Sequence, residues 1–236
     1  MAKYILAIIF SLFAAAAIAQ EEYPRTIATT ELPKYTISVI EQEPGVKYLR
    51  FEGEIVPQMN FFFNTYLLTH DPQWIELSSQ GGTLSAVYST GRLIREWGIP
   101  VVIKRGEMCM SACGFLAMYS PDITIDGLIG LHHPYRLYYD REETLEDIYD
   151  DGKLITIGMI TAFYDNGWPM FLYYSLVERT DSYTYMLFKD TEEFNSYRWS
   201  PDSGIPFTSE NYPFFEQEVT DAPVAFSYAQ SQQSDE

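Results

Sequence analysis

Positive charge is scarce in this chain, where 15 Lys and Arg stand against 33 Asp and Glu for a formal charge of -18. That balance excludes a nucleic-acid partner, whose phosphates would be repelled unless the few cations gathered on one face; no such cluster occurs along the sequence. Histidine is scarcer still, at three residues, and none accompanies the acidic stretch Arg141 to Asp151. That stretch therefore reads as the solvated face of a helix and not as a metal site, and no metal or cofactor is expected. The two cysteines, Cys109 and Cys113, are too few for a disulfide-stapled miniature fold. Glycine-rich phosphate loops are missing as well, so the chain carries no ATPase module of its own. Past residue 19 no apolar run is long enough to span a bilayer, because Ile155 to Phe163 is interrupted and flanked by acids.

Apolar and aromatic residues are plentiful, with 47% hydrophobic residues, 19 Tyr and 15 Phe in 236 positions, enough for one well-buried globular domain. Residues 1–19 pair an early Lys3 with an apolar run from Ile5 to Ala17 and end in Ala17-Ile18-Ala19. This is the pattern of a secretory signal cleaved before Gln20, which would place the protein in the periplasm or outside the cell. The other reading of that segment is an uncleaved membrane anchor. Residues 20–45 are polar and proline-containing, an extended lead-in with a short strand over Tyr35 to Ile40. The domain proper is expected over 46–200, and 201–236 as an irregular segment ending in a disordered tail.

Within the domain, V-K-Y-L-R-F-E-G-E-I from Val46 alternates as a half-buried strand does. Met59 to Thr69 has helical spacing and is broken by Asp71-Pro72. Trp74 to Leu77 is a short strand running into Ser78-Ser79-Gln80-Gly81-Gly82, with a helix over Thr83 to Trp97 closed by Gly98-Ile99-Pro100. Val101 to Ile103 is a further buried strand, and Ile123 to His132 another. A helix begins in the acidic stretch, to break at Gly152 or run on to Tyr164, and Pro169 to Arg179 forms the next. Strand, turn and helix in succession argue for a parallel α/β arrangement with functional groups at the carboxyl ends of the strands.

Gly82 and Ser111 both fall at such ends. Ser111 sits in E-M-C-M-S-A-C, just before the apolar run Gly114 to Tyr119. A serine hydroxyl is a poor nucleophile until a base removes its proton, and acyl transfer also needs donors for the oxyanion. Glycines bring backbone amides close to a carbonyl, and His132 and His133 follow downstream as candidate bases. Strand alternation allows only one of that pair to face Ser111. Each feature has a plainer account: an N-capping serine, a tight turn, a histidine pair satisfied at a strand end. Cys109 and Cys113 lie four residues apart. On one helix their Cα atoms would be about 6 Å apart, within bridging range, a spacing that a helix starting only at Ser111 does not guarantee; a disulfide stiffening the turn at Ser111 and two buried free thiols are equal alternatives.

Taken in order, I-E-L-S-S-Q-G-G, C-M-S-A-C and I-G-L-H-H-P resemble the proteolytic subunit of the Clp protease and its exported single-chain relatives, in the crotonase-like superfamily. The resemblance runs from about Val46 to Pro134 and, more weakly, to Phe194. It implies an α/β fold of repeated strand-strand-helix units and an exported serine peptidase acting on peptide or protein substrates. It assigns Ser111 as nucleophile, His132 as base, Gly82 and Ala112 as oxyanion donors, and self-association of subunits. Laid over D-S-Y-T-Y-M-L-F, the family's late aspartate falls on Asp181 as third triad member, and its second aspartate on Tyr185. Gln80 stands where the family usually has proline. A non-catalytic binding or assembly protein on the same fold is the alternative function.

Overall fold

The computed structural model describes residues 22–134, 145–180, 184–196 and 220–221. The expected signal segment, Asp181 and nearly all of 201–236 lie outside the described residues. Over residues 25–43, where a lead-in with one short strand was expected, the chain forms β1 (Arg25–Leu32) and β2 (Tyr35–Glu43). The reason is visible in Tyr35, Ile37 and Val39, which alternate with polar neighbours and are all buried. Arg25 fastens the hairpin by donating from Nε and Nη2 to Glu41 Oε2 at 2.9 and 2.6 Å. The Glu41 carboxyl is held below its usual range, first by the Gly45 amide and then by Arg25.

From there the order is β3 (Val46–Ile55), α1 (Met59–His70), β4 (Trp74–Gly82), α2 (Leu84–Trp97), β5 (Val101–Ile103), β6 (Met108–Met110) and α3 (Ala112–Ala117). Then come β7 (Ile123–Ile125), β8 (Leu128–Leu131), α4 (Leu145–Asp165), α5 (Met170–Arg179), β9 (Thr184–Phe188), α6 (Thr191–Ser196) and β10 (Thr220–Asp221). The single strand expected over Ile123 to His132 is two, parted at Asp126-Gly127, where both amides donate to Ile103 O. Two strands followed by a helix recur as β5-β6-α3 and β7-β8-α4, the repeated unit of the expected α/β fold.

The ten strands among the described residues belong to one sheet, and β4 is where it divides. The first half of β4 pairs with β5 through Ile75 and Glu76, whereas its second half pairs with β6 through Ser79 and Cys109. One branch continues in parallel to β7, the other through β8 to antiparallel β9. The second branch carries β6 and β8 side by side, so the residues just after their carboxyl ends emerge as neighbours.

Leu49, Phe51, Ile75 and Leu77 of β3 and β4 are buried with Met59, Phe63 and Leu67 of α1. Burying each such side chain stabilises the fold by about 1.5–3 kcal/mol before entropy is counted. Alternation turns Arg50, Glu76 and Ser78 to the opposite face. There Arg50 Nη2 reaches Glu52 and Glu107, each at 2.8 Å, and Lys104 Nζ lies 2.6 Å from Glu76 Oε1. α2 ends at Gly98, left-handed at φ 61°, whose amide donates to Arg95 O; Pro100 cannot extend the helix. No helix among the described residues is long and apolar enough to cross a membrane.

Candidate active site

Ser111 follows β6 without a spacer, and the chain turns there so sharply that φ is 55° and ψ is -122°. A β-carbon makes this backbone region costly, by about 1–3 kcal/mol. Two bonds hold the residue in it: its amide donates to Gly130 O of β8 at 2.7 Å, and its carbonyl accepts from Phe115 N at 3.2 Å. The turn lifts the side chain out of the strand and starts α3 at the next residue. Ser111 occupies the N-cap position, yet its hydroxyl makes no capping bond.

That hydroxyl meets the imidazole of His132 instead, with Oγ 2.6 Å from Nε2. His132 follows the last residue of β8 and is 2% exposed. Because β6 pairs with β8 at Met110 and Gly130, residues 21 apart in sequence end on adjacent strand termini. The His132 ring also packs on Tyr185 of β9, centroid to centroid 4.7 Å and tilted by 58°. For His133 the contact is through the main chain. Its amide donates to Thr180 Oγ1 at 2.7 Å, and burial pushes its imidazole below the usual histidine range. The third histidine, His70, lies at the end of α1, edge-on to Tyr66 at 5.6 Å.

On the other side of Ser111 stands the glycine turn that ends β4. Gly81 has φ 119° and Gly82 φ 151°, values that glycine alone adopts at ease. The Gly81 amide donates to Ser79 Oγ at 3.0 Å. A β-carbon on Gly81 would lie 2.7 Å from Ser111 Cβ and 3.1 Å from its Oγ. At Gly82 it would lie 2.0 Å from Ile55 O, so that side of Gly82 faces β3 and not the serine. Ala112, the first residue of α3, is buried directly behind Ser111. Amides in the first turn of a helix have no partner within it.

Cys109 and Cys113 are joined by a disulfide with Cα atoms 5.0 Å apart. They do not share a helix, as the spacing argument supposed. Cys109 is on β6 and Cys113 on α3, and the fold of the chain at Ser111 brings them together. The serine is the middle residue of the ring so closed. Four residues before it, Glu107 accepts from Ser78 Oγ and from Arg50, which ties the approach to β6 to β4 and β3. These contacts, first Ser78 and then Arg50, outweigh desolvation and hold the Glu107 carboxyl below its usual range.

Ser111, His132, Ala112 and the glycine turn thus meet in one place. Two neighbours were not foreseen in these roles: Thr180, bonded to the backbone beside His132, and Tyr185, whose ring lies on the imidazole. Thr180 has no sequence signal, since a threonine at a helix end is ordinary, and Tyr185 was marked only as standing where the resembling family has its second aspartate.

No family model matches the chain, and no curated protein sequence matches it. Among solved structures it is similar to two of 1510-N, a membrane-bound stomatin-specific protease. One is a lysine-to-alanine variant in complex with a substrate peptide, at TM-score 0.46 and 18% identity, covering 63% of this chain and 70% of that one. The other is a serine-to-alanine variant, at TM-score 0.43 and 16% identity, covering 63% and 74%.

Proposed function

We propose that this protein is an exported serine hydrolase that cleaves peptide bonds. The observation that carries the reading is the 2.6 Å approach of His132 Nε2 to Ser111 Oγ, with the serine held at positive φ and its hydroxyl unused as a cap. In the first step His132 takes the Ser111 proton as Oγ bonds to the substrate carbonyl carbon. The carbonyl oxygen becomes an oxyanion, and the amides of Gly82 and Ala112 are its donors in this reading. Collapse breaks the carbon-nitrogen bond, His132 returns the proton to the leaving amine, and an acyl group remains on Ser111. Water, deprotonated by the same imidazole, then releases the acid and regenerates the serine. Asp181 takes the third place, orienting the imidazole and stabilising its charged form.

Treatment of the purified protein with a fluorophosphonate probe tests this, alongside turnover of a peptide library. Wild type labels and cleaves, Ser111→Ala and His132→Ala do neither, and the double variant is no worse than either single one, because groups that act as a unit are non-additive. Asp181→Asn lowers turnover by orders of magnitude if the acid belongs to a triad, and leaves it unchanged if Ser111 and His132 act as a dyad. Wild-type turnover in folded Ser111→Ala would end the hydrolase reading.

A further inference from the structure

His132 is gripped from both sides through the backbone. Two residues before it, Gly130 O accepts the amide of Ser111; one residue after it, the amide of His133 donates to Thr180 Oγ1 at 2.7 Å. The first bond ties the histidine strand to the nucleophile. The second ties it to the end of α5.

Thr180 is built for this. It is buried, at 8% exposure, and its own amide donates to Leu176 O at 3.0 Å, finishing the last turn of α5. Its hydroxyl donates to the same Leu176 carbonyl at 2.6 Å. A hydroxyl has one proton, and here the helix consumes it, so Oγ1 can meet a further group only as an acceptor. The group it meets is an amide, which can only donate. Neither partner has another orientation to offer, and the bond fixes where the residue beside the base must lie. Tyr185 of β9 then limits the ring itself, at 4.7 Å. A catalytic constellation tolerates errors of only about half an ångström in such positions.

We infer that Thr180 is a positioning residue for the His132 base, acting on it through the main chain of His133 rather than through the imidazole. The inference rests on the hydrolase reading for its effect on rate, but the bond itself makes a claim about His132 that does not depend on turnover.

The test compares Thr180→Val, which keeps the shape and loses the hydroxyl, with Thr180→Ser, which keeps the hydroxyl. Expected for Thr180→Val is at least a tenfold fall in kcat and in the rate of fluorophosphonate labelling, with KM within twofold of wild type; Thr180→Ser restores labelling to within about threefold. In parallel, the imidazole nitrogen shifts of His132 are followed by NMR. In Thr180→Val they move toward the values of His132 in Ser111→Ala, where the Ser111 bond is lost by design, and in Thr180→Ser they stay at wild type. Labelling of Thr180→Val at the wild-type rate overturns the inference, as does an equal loss in the valine and serine variants. If Thr180→Val does not fold, amide exchange decides: the His133 amide is protected in wild type and at least tenfold less so in Thr180→Ala, and equal protection in the two overturns the proposal. Should wild type itself fail to label, the hydrolase reading falls, and the imidazole shifts still decide whether Thr180 places His132.

Discussion

Gly81 lies so close to Ser111 that a single methyl group on its Cα would stand 2.7 Å from the serine Cβ and 3.1 Å from Oγ. The neighbouring Gly82 is just as crowded, but by Ile55 O at 2.0 Å, on a different strand. Two adjacent glycines therefore carry different constraints: Gly81 keeps room for the nucleophile, and Gly82 lets β4 lie against β3.

Alanine substitution separates the two. Gly81→Ala at φ 119° pays a backbone penalty of about 1–3 kcal/mol and must displace the Ser111 side chain. The expected result is a folded protein whose fluorophosphonate labelling falls at least tenfold. Gly82→Ala meets main-chain atoms that cannot swing away, and its larger effect is on the melting temperature. Equal labelling by Gly81→Ala and wild type would show that the serine has another place to stand.

The glycine turn was legible because its residue types have no other common use in that position: a buried strand running into two glycines and an amphipathic helix reads as strand, turn, helix. The same holds for β3, α1 and β5, where local alternation and apolar spacing suffice, whereas the three residues of β6 are too few to show a period and were read only as the approach to Ser111. Ser111 and His132 could be named from motif order, but the contact between them depends on the pairing of Met110 with Gly130, a register that no local pattern encodes. The division of β4 between β5 and β6 is of the same kind. β1 was hidden by its exposure, since an edge strand with one half-buried face reads as a polar segment. Thr180 and the Arg50, Glu76 and Glu107 network were illegible because ion pairs and side-chain bonds between residues up to 57 apart leave no trace in composition.

His133 gives the fold a pH dependence of definite sign. Burial lowers its pKa in the folded state, so over the interval from that lowered value up to about 6.5, the ordinary histidine value, the unfolded chain holds more protons than the folded one. Stability then rises with pH through the interval, is fully present above about 6.5, and is lost as pH falls below it. His133→Gln removes that contribution while leaving the backbone bond to Thr180 in place. Melting curves between pH 5 and 8 are expected to show a shallower slope below pH 6.5 in the variant than in wild type. An identical slope would mean that His133 titrates as a solvated side chain does.

The disulfide makes the remaining prediction, because it closes a ring whose middle residue is the nucleophile. Cys109 and Cys113 are both fully buried and Ser111 between them is held in an unfavourable backbone conformation. A cross-link over so short a loop constrains the unfolded chain by about 2 kcal/mol on the chain-entropy model. For a domain of this size that corresponds to a fall of roughly 4–8 °C in Tm when both cysteines become alanine. The effect on the site should exceed the effect on the fold, since freeing the ring lets the turn at Ser111 relax toward negative φ and carry Oγ away from His132. Labelling of the Cys109→Ala, Cys113→Ala double variant is accordingly expected to slow by more than tenfold at a temperature well below its Tm. Intact-mass analysis of the unfolded, unreduced wild type should add no alkyl group, and two after reduction. Two adducts without reductant would show free thiols, and with them the bridge and its hold on Ser111 would have to be given up.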